Sequence, residues 1–507
     1  MTRSELSTMP FPELTASVTP QAAATSAGAG FPAEFEPYQR ERIKHWNGVA
    51  QAQIRSGAWL GNYYHQRLKA AYRYNIPENM SVLDVGCGDG SLLASLKPSV
   101  GVGLDFAPEM IALARAKNPN LSFVEADAHA LNLPDQKFDC IILSDLINDL
   151  WDVQAVLKEL RKYCKPSTRI VMNFYSHLWE KPLSLAQALG FSRRRLLQNW
   201  LTVDDVATLL TLSNYDVVRH QAEILLPLWL PLVSWFCNKF LAKLAPFRWF
   251  DVTTFLVARP KALTPPGPLP RVTVVVPARN ESGNIPEILR RVPEMGSGTE
   301  LIFVEGHSSD DTYAAIEREI KAHPERNCRL FRQSGKGKGD AVRLGYAHAT
   351  GDILMILDAD LTVRPEDLPR FYQALVDDHG EFINGVRLVY PMEEQAMRFL
   401  NLVGNKFFSN LFSWLVGQIF RDTLCGTKVL WTRDYLRIAA NRAYFGDFDP
   451  FGDFDLLFGA AKANLKMIDM PIRYGERKYG ETNIQRWRHG WLLLRMCAFA
   501  ARRIKFI

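Results

Sequence analysis

A chain of 507 residues with 47% hydrophobic and 22% charged content has globular composition and exceeds what one core usually organises, so two or more domains are expected. The formal net charge is only +6, which argues against a nucleic-acid binder built on phosphate contacts. Seven cysteines scattered without Cys-x-x-Cys or Cys/His clusters exclude a disulfide framework and a structural zinc module, and point to a reducing, cytoplasmic setting. Mean hydropathy is −0.11 and no apolar run reaches about 18 residues, so a spanning helix is not expected. The nearest approach, Ile224 to Cys237, is short and broken by Pro227 and Pro231.

Residues 1–37 are rich in Ala, Ser, Thr and Pro, cannot bury enough apolar surface to offset ordering entropy, and read as a disordered tail. They lack the basic start and apolar core of a signal peptide. A second break spans Lys261 to Pro270, with prolines at 265, 266, 268 and 270, a composition that stiffens a linker and stops helices. It separates a domain at 38–260 from one at 271–507. Each half reads as strands alternating with helices, an α/β pattern of mostly parallel sheets covered on both faces. The first half offers strands at Ser81–Val85, Val100–Leu104, Leu121–Val124, Phe138–Leu143 and Arg169–Phe174. The second offers Val272–Pro277, Leu301–Val304, Arg329–Arg332, Ile353–Leu357 and Met467–Tyr474. Such sheets hold ligands at the carboxyl ends of their strands, where the polar motifs fall.

In the first half, Leu83-Asp84-Val85-Gly86-Cys87-Gly88-Asp89-Gly90 follows a strand and opens a helix, so the backbone can turn tightly against a ligand. The next strand ends in Asp105, where a carboxylate can accept from ribose hydroxyls, and the third in Glu125-Ala126-Asp127-Ala128, where a short acid beside a small residue can flank a purine. Asp84 immediately before the glycines suits an ammonium group better than the pyrophosphate of a dinucleotide. Over roughly residues 60 to 175 these features resemble class I S-adenosylmethionine-dependent methyltransferases. The resemblance implies a Rossmann-like fold with Asp84, Gly86 and Gly88 around the methionine part, Asp105 on the ribose and Asp127 with Ala128 at the adenine. The methyl acceptor stays open. Asp145 or Asp149 could serve as base for a hydroxyl, or cap the helix starting near Asp152. Tyr63, Tyr64 and His65 could close over the cofactor or pack as an ordinary helix face.

In the second half, Val272 to Val276 leads into Pro277-Ala278-Arg279-Asn280-Glu281, and a second strand ends in Glu305. Gly335-Lys336-Gly337-Lys338-Gly339-Asp340 is a flexible cationic loop suited to a diphosphate. Asp358-Ala359-Asp360 places two carboxylates at a strand end, able to share a divalent cation with diphosphate oxygens. In this order the elements resemble family 2 glycosyltransferases of the GT-A fold, most nearly dolichol- or polyprenol-phosphate sugar synthases, over residues 271 to 490. The resemblance implies Pro277, Arg279, Asn280, Glu281, Glu305 and Lys336 around the sugar nucleotide. It puts Asp358 and Asp360 on Mg or Mn, and makes Arg387, Arg398 and Arg477 a clamp for an acceptor phosphate. It departs at Glu305-Gly306, where two adjacent acids are usual, and at Arg279, where an aromatic is usual. A sugar-hydroxyl acceptor stays open through Asp453 and Asp455, either of which could be its base. A phosphate monoester, already a dianion at neutral pH, needs cations instead.

From Arg473 onward the net charge is +7, more than that of the whole chain. Ile484, Trp487, Trp491, Leu494, Ala498 and Ala501 recur at helical spacing beside Arg488, Arg495 and Arg502, a pattern that suits the headgroup layer of an anionic bilayer. Met397 to Phe420 and the Trp- and Pro-rich Leu225 to Phe250 are two further candidates. The expectation is thus a bifunctional methyltransferase and glycosyltransferase attached peripherally to the cytoplasmic membrane face. It would use S-adenosylmethionine, a nucleoside diphosphate sugar and a polyprenyl-phosphate-type lipid, with no nucleic-acid partner. The alternatives are a sugar-hydroxyl acceptor in envelope glycan synthesis, or a membrane scaffold whose first domain binds S-adenosylmethionine without catalysis.

Overall fold

The computed structural model describes residues 33–55, 62–188, 196, 198–262, 267–387, 399–423, 425–444, 453–473, 475, 479 and 486–506. The expected tail therefore lies mostly outside the described residues, and its last part is ordered: a helix begins at Phe35 and runs to Arg55. Phe35 anchors it, buried with its ring edge-on to His129 and Trp151, and Pro37 falls in the first turn, where no donor is needed.

The first sheet contains β1 (Ser81–Val85), β2 (Val100–Asp105), β3 (Ser122–Glu125), β4 (Phe138–Ser144), β5 (Cys164–Tyr175), β6 (Tyr215–Ile224) and β7 (Thr253–Pro260). Its order is β3-β2-β1-β4-β5-β7-β6. β1 to β5 run parallel, whereas β7 is antiparallel to both its neighbours, β5 and β6. Alternate residues feed two cores: Leu83, Val85, Ile141 and Leu143 on one face, Val82, Cys140, Ile142 and Val171 on the other. The parallel register sets Val85 beside Leu104 and Leu143, and Asp105 beside Glu125. The glycine loop and the three acidic strand ends therefore share one sheet edge.

The second sheet contains β8 (Val272–Ala278), β9 (Thr299–Glu305), β10 (Asn327–Arg332), β11 (Ile353–Ile356), β12 (Phe382–Val386), β13 (Lys428–Trp431) and β14 (Met467–Pro471), ordered β10-β9-β8-β11-β13-β12-β14. β13 runs antiparallel to β11 and β12, and the other pairs are parallel. Both sheets are thus mixed, and β6, β7, β12 and β13 are the strands that the expectation from sequence passes over. The second sheet is also covered on both faces, with Val275, Ile302 and Leu354 in one core and Val274, Leu301 and Met355 in the other.

The proposed break at 261–270 does not leave two loosely tethered domains. Adjacent strands β5, β7 and β6 each send one buried arginine into the second domain. Arg169 donates from Nη2 to both oxygens of Glu381, at 2.8 and 2.7 Å, and from Nε to the Asn464 carbonyl at 2.7 Å. Arg219 Nε donates to Asn464 Oδ1 at 3.0 Å. Arg259 donates to the Asp378 carboxylate and carbonyl at 2.5 and 2.7 Å, and to Asp216 of its own domain at 3.0 Å. In return Lys466 Nζ donates to the Val217 carbonyl at 2.7 Å, and Lys462 Nζ lies 3.9 Å from the ring centroid of Tyr74. Burial, with Arg219 nearby, lowers the Lys462 pKa to about 7.

Among the described residues no helix is long and apolar enough to cross a membrane. The three candidate surface segments fare differently. In the helix Phe399–Val416, Phe408, Phe412 and Leu415 are buried in a core of the second domain, while Phe407, and Ile419 just beyond the helix, are exposed. The helix Arg486–Ala500 buries Leu493, Met496 and Cys497 and leaves Trp491 and Leu494 exposed. Ile484 lies outside the described residues, and nothing is assigned to the Trp487 side chain. Residues 225–250 are largely exposed.

Removing one partner from a buried ion pair strands the other charge, so Glu381→Leu should lower stability by about 3–5 kcal/mol in urea unfolding. Arg318→Ala, which removes an exposed pair with Asp311, should change it by less than about 1 kcal/mol. Equal, small effects would show that Arg169 does not depend on its partner.

Candidate active sites

At the carboxyl edge of the first sheet, Gly86 has φ +72°, which strains any side chain, and an added Cβ would also push on Leu146 Cδ1 at 2.9 Å. Gly88, at φ +53°, donates its N–H to Asp105 Oδ2 at 3.1 Å and has open space before it. Beneath the loop Asp84 is 1% exposed, and among the described residues neither carboxylate oxygen has a hydrogen-bond partner. Burial first, then the charges of Asp105 and Asp89, push its pKa up to about 7. A buried carboxylate without donors is costly unless a cation or donor meets it, which fits the ammonium-bearing methionine part of S-adenosylmethionine. Asp105 also accepts from Ala107 N at 3.0 Å; burial raises its pKa despite these backbone donors.

Asp127 is already engaged. Its Oδ1 accepts from His129 N at 2.8 Å and from the His129 ring Nδ1 at 2.7 Å, while Oδ2 accepts from Gln39. Burial alone would raise its pKa, and the His129 hydrogen bonds hold it below the usual carboxylate range. Ala128 is buried beside it. Phe35, Tyr38 and Gln39 of the first helix line the same cleft as Asp105, Ala128 and Leu146. That wall is absent from the sequence reading, because the helix is polar and adjoins the expected tail.

The acceptor end is also resolved. Asp152, rather than Asp145 or Asp149, caps the helix Val153–Leu160, accepting from Ala155 N at 2.9 Å. Asp149 faces Arg42 and Gln198. Asp145, at φ +52°, accepts from Tyr64 Oη at 2.9 Å and Asn173 Nδ2 at 2.5 Å, and Tyr64 stacks on Tyr175. Burial, reinforced by Asp145, raises the Tyr64 pKa, so this hydroxyl stays protonated.

In the second sheet Asp358 and Asp360 follow β11. Lys338 Nζ lies 2.5 Å from Asp358 Oδ1. Burial works to raise the Asp358 pKa, but Lys338, Lys428 and Arg387 together hold it low. Asp360 Oδ1 accepts from Thr362 N at 3.1 Å and Thr362 Oγ1 at 2.7 Å. A Cβ on Gly426 would come within 1.9 Å of Asp358 Oδ2, so only glycine lets the turn before β13 press on the acid pair. Two hard carboxylates fit Mg or Mn with further oxygens from a diphosphate; among the described residues no third His, Cys, Asp or Glu completes a cluster.

Around the nucleoside end, Pro277 is half-buried and Arg279 exposed. Asn280, at φ +57°, accepts from Ser309 N at 2.8 Å. Glu281 is buried and accepts from Asn284 Nδ2 at 2.8 Å; Glu305 is buried and accepts from Ser308 N at 2.5 Å and Arg332 Nε at 3.2 Å. Lys336 is exposed, and the lysine brought to the acids is Lys338, at the start of the helix Lys338–His348.

The expected phosphate clamp is reached only in part. Arg387 forks onto Asp422 at 2.7 and 2.9 Å, and that pairing, against burial, takes the Asp422 pKa down to about 2. Arg398 and Arg477 lie outside the described residues. Asp455 accepts from Arg442 Nε at 2.9 Å, while Asp453 opens the helix Asp453–Lys462 with nothing assigned to its side chain. The segment after β14 reaches back across the site: Gly475 N donates to the Thr362 carbonyl at 3.0 Å, and Tyr479 Oη meets Ser282 Oγ at 3.1 Å.

Residues 273–433 match the family model Glycosyl transferase family 2, and residues 82–167 match the model Methyltransferase domain. The chain joins a methyltransferase domain to a family 2 glycosyltransferase domain. It is 25% identical over 219 residues to undecaprenyl-phosphate 4-deoxy-4-formamido-L-arabinose transferases of two Klebsiella pneumoniae strains, a match covering 42% of this chain and 63% of each relative. Among solved structures, the glucosyl-3-phosphoglycerate synthase of M. tuberculosis is 20% identical with a TM-score of 0.34, covering 46% of this chain and 81% of its own. An S-adenosylmethionine-dependent methyltransferase from Mesorhizobium loti is 20% identical with a TM-score of 0.30, covering 38% and 96%.

In the methyltransferase domain Asp84 has a folded pKa of about 7 against 3.8 when unperturbed, so the unliganded fold holds its proton longer than the unfolded chain. Its contribution to stability is full below about pH 4 and is lost as pH rises toward 7. A cationic ligand reverses this by ionising Asp84. Binding of S-adenosylmethionine should therefore release a proton and tighten between about pH 5 and 7. Calorimetry in buffers of different ionisation heat should show that release in the natural chain and none in Asp84→Asn.

Proposed function

We propose that the chain is a bifunctional enzyme. Its glycosyltransferase domain moves a sugar from a nucleoside diphosphate sugar to a polyprenyl-phosphate-type lipid at a membrane face, and its other domain transfers methyl groups from S-adenosylmethionine. The observation that carries the acceptor choice is electrostatic: Lys338 pairs with Asp358 and the charges of Lys428 and Arg387 act on the same carboxylate, whereas Asp455, a candidate base for a hydroxyl, is paired with Arg442. The Klebsiella relatives, named for undecaprenyl phosphate, support the same class.

Asn280, Glu281 and Glu305 would orient the nucleoside, and Lys338 would meet the diphosphate when it leaves Asp358. A divalent ion held by Asp358 and Asp360 would supply neutralisation of the departing diphosphate. An acceptor phosphate oxygen forms the new bond to the anomeric carbon while the bond to the diphosphate breaks and its electrons leave with that group. The acceptor phosphate needs no general base, because its second pKa is near 6. Inversion follows from attack opposite the leaving group. Gly475 meets Thr362 and Tyr479 meets Ser282, so these two residues stand against the site and would help exclude water from it. Peripheral attachment is supported by the +7 C-terminal region and the exposed Trp491 and Leu494.

Asp358→Ala with Asp360→Ala should abolish sugar transfer to undecaprenyl phosphate while leaving S-adenosylmethionine binding by calorimetry unchanged. Transfer only to glycolipid hydroxyls would overturn the acceptor choice, and sugar transfer surviving in the double variant would overturn the metal assignment. The full chain should co-float with anionic vesicles at low salt and release as salt rises, because each cation near the surface contributes about 1 kcal/mol.

A further inference from the structure

Of the large apolar side chains exposed among the described residues, half fall between Leu228 and Phe250, including Trp229, Trp235, Phe236 and Trp249. This concentration belongs to the methyltransferase domain, inserted between β6 and β7. Contiguous exposed apolar surface on this scale marks an interaction face. Its surface charge is one-sided: from Leu225 to Phe250 there is no acidic residue, and Lys239 and Arg248 reach the surface while Lys243 is buried against Glu223. Tryptophans at an apolar surface with cations alongside suit the headgroup layer of an anionic bilayer.

The segment is bound to the acceptor end of the methyltransferase cleft. Asn238, 1% exposed, fixes its base by accepting from Leu225 N and Leu226 N at 2.9 and 2.8 Å, and donates to Tyr63 Oη at 3.2 Å. The next residue, Tyr64, is the one that donates to Asp145. On the other side, Trp179, just beyond β5, donates from Nε1 to the Phe250 carbonyl at 2.9 Å. Both flanks of the Asp145 site are thus held to the exposed apolar surface. Leu146, adjoining Asp145, covers Gly86 of the cofactor loop. The same segment touches the glycosyltransferase domain: Trp414 Nε1 donates to the Lys243 carbonyl at 3.0 Å, and Phe240 packs against Phe506 with ring centroids 5.3 Å apart.

We propose that residues 225–250 dock the methyltransferase domain on an anionic bilayer and that its methyl acceptor is a hydroxyl of a lipid-anchored molecule. This rests on the membrane-face reading of the glycosyltransferase domain and extends it to the other active site. The acceptor oxygen bonds to the methyl carbon, the carbon–sulfur bond breaks with its electron pair kept by the sulfur of S-adenosylmethionine, and the hydroxyl proton passes to Asp145. Because both domains are clasped together, both acceptors are drawn from one lipid surface, so a lipid-linked glycan made or extended at the second site is within the chemical class the first would take.

The test uses the full chain with vesicles of phosphatidylglycerol and phosphatidylcholine whose acyl chains carry bromine. Tryptophan fluorescence should be quenched on binding, and the quenching should fall at least about threefold in Trp229→Ser/Trp235→Ser/Trp249→Ser, a variant confined to exposed positions. Hydrogen exchange of the natural chain should show residues 225–250 protected when vesicles are added, a readout independent of any variant. With methyl-labelled S-adenosylmethionine and a membrane fraction, label should enter chloroform-extractable material and drop at least about tenfold in the triple variant. Vesicle binding with residues 225–250 unprotected and quenching unchanged would overturn this inference alone, as would label confined to water-soluble or protein acceptors. No vesicle binding at all would overturn the membrane-face reading with it.

Discussion

Three arginines on neighbouring strands lose their hydration where the two domains meet, so each needs a partner there. Arg169 and Arg259 are paired with Glu381 and Asp378 of the second domain, while Arg219 is hydrogen-bonded by the neutral Asn464 and Asn75. A buried charge needs its partner in place, so the contact between the domains depends on these pairs staying matched. The orientation of the two catalytic edges, and the contact of residues 225–250 with the second domain, follow from that clasp.

The two sites use carboxylates in opposite electrostatic states. Asp84 lies under the glycine loop without a donor or a cation among the described residues, so burial dominates and its proton is retained near neutral pH. Asp358 is half-buried and faces Lys338, Lys428 and Arg387, so it stays ionised. The first environment awaits a cationic ligand; the second is ready for a metal ion and an anionic leaving group. The difference is one of neighbours, not of residue type.

Much of this was legible from sequence where function is written into short runs at parallel strand ends. Asp84 with its glycines, Asp105, Asp127, Asn280, Glu305 and the pair Asp358 and Asp360 fall beside the ends of hydrogen-bonded neighbours, because parallel pairing aligns successive carboxyl ends. The first helix was missed because its polar sequence gives no hint that Phe35 finds a pocket against His129 and Trp151. Lys336 and Lys338 are equivalent in a Gly-Lys repeat; the helix starting at Lys338 is what brings one of them to Asp358. Arg387 reads as a free cation until Asp422 is seen to hold it.

Sequence by itself determined the two α/β domains, their order and the placement of acids at their strand ends, since these depend on local pattern and on the period-2 burial of strands. Only the tertiary structure decided which charges are spent and which apolar faces are covered. Phe412 and Leu415 enter a core that distant strands and helices build, while Trp229, Trp235 and Trp249 find nothing of comparable depth to pack into. Amphipathic spacing is the same in both cases, and burial depends on what the rest of the chain brings to the other side.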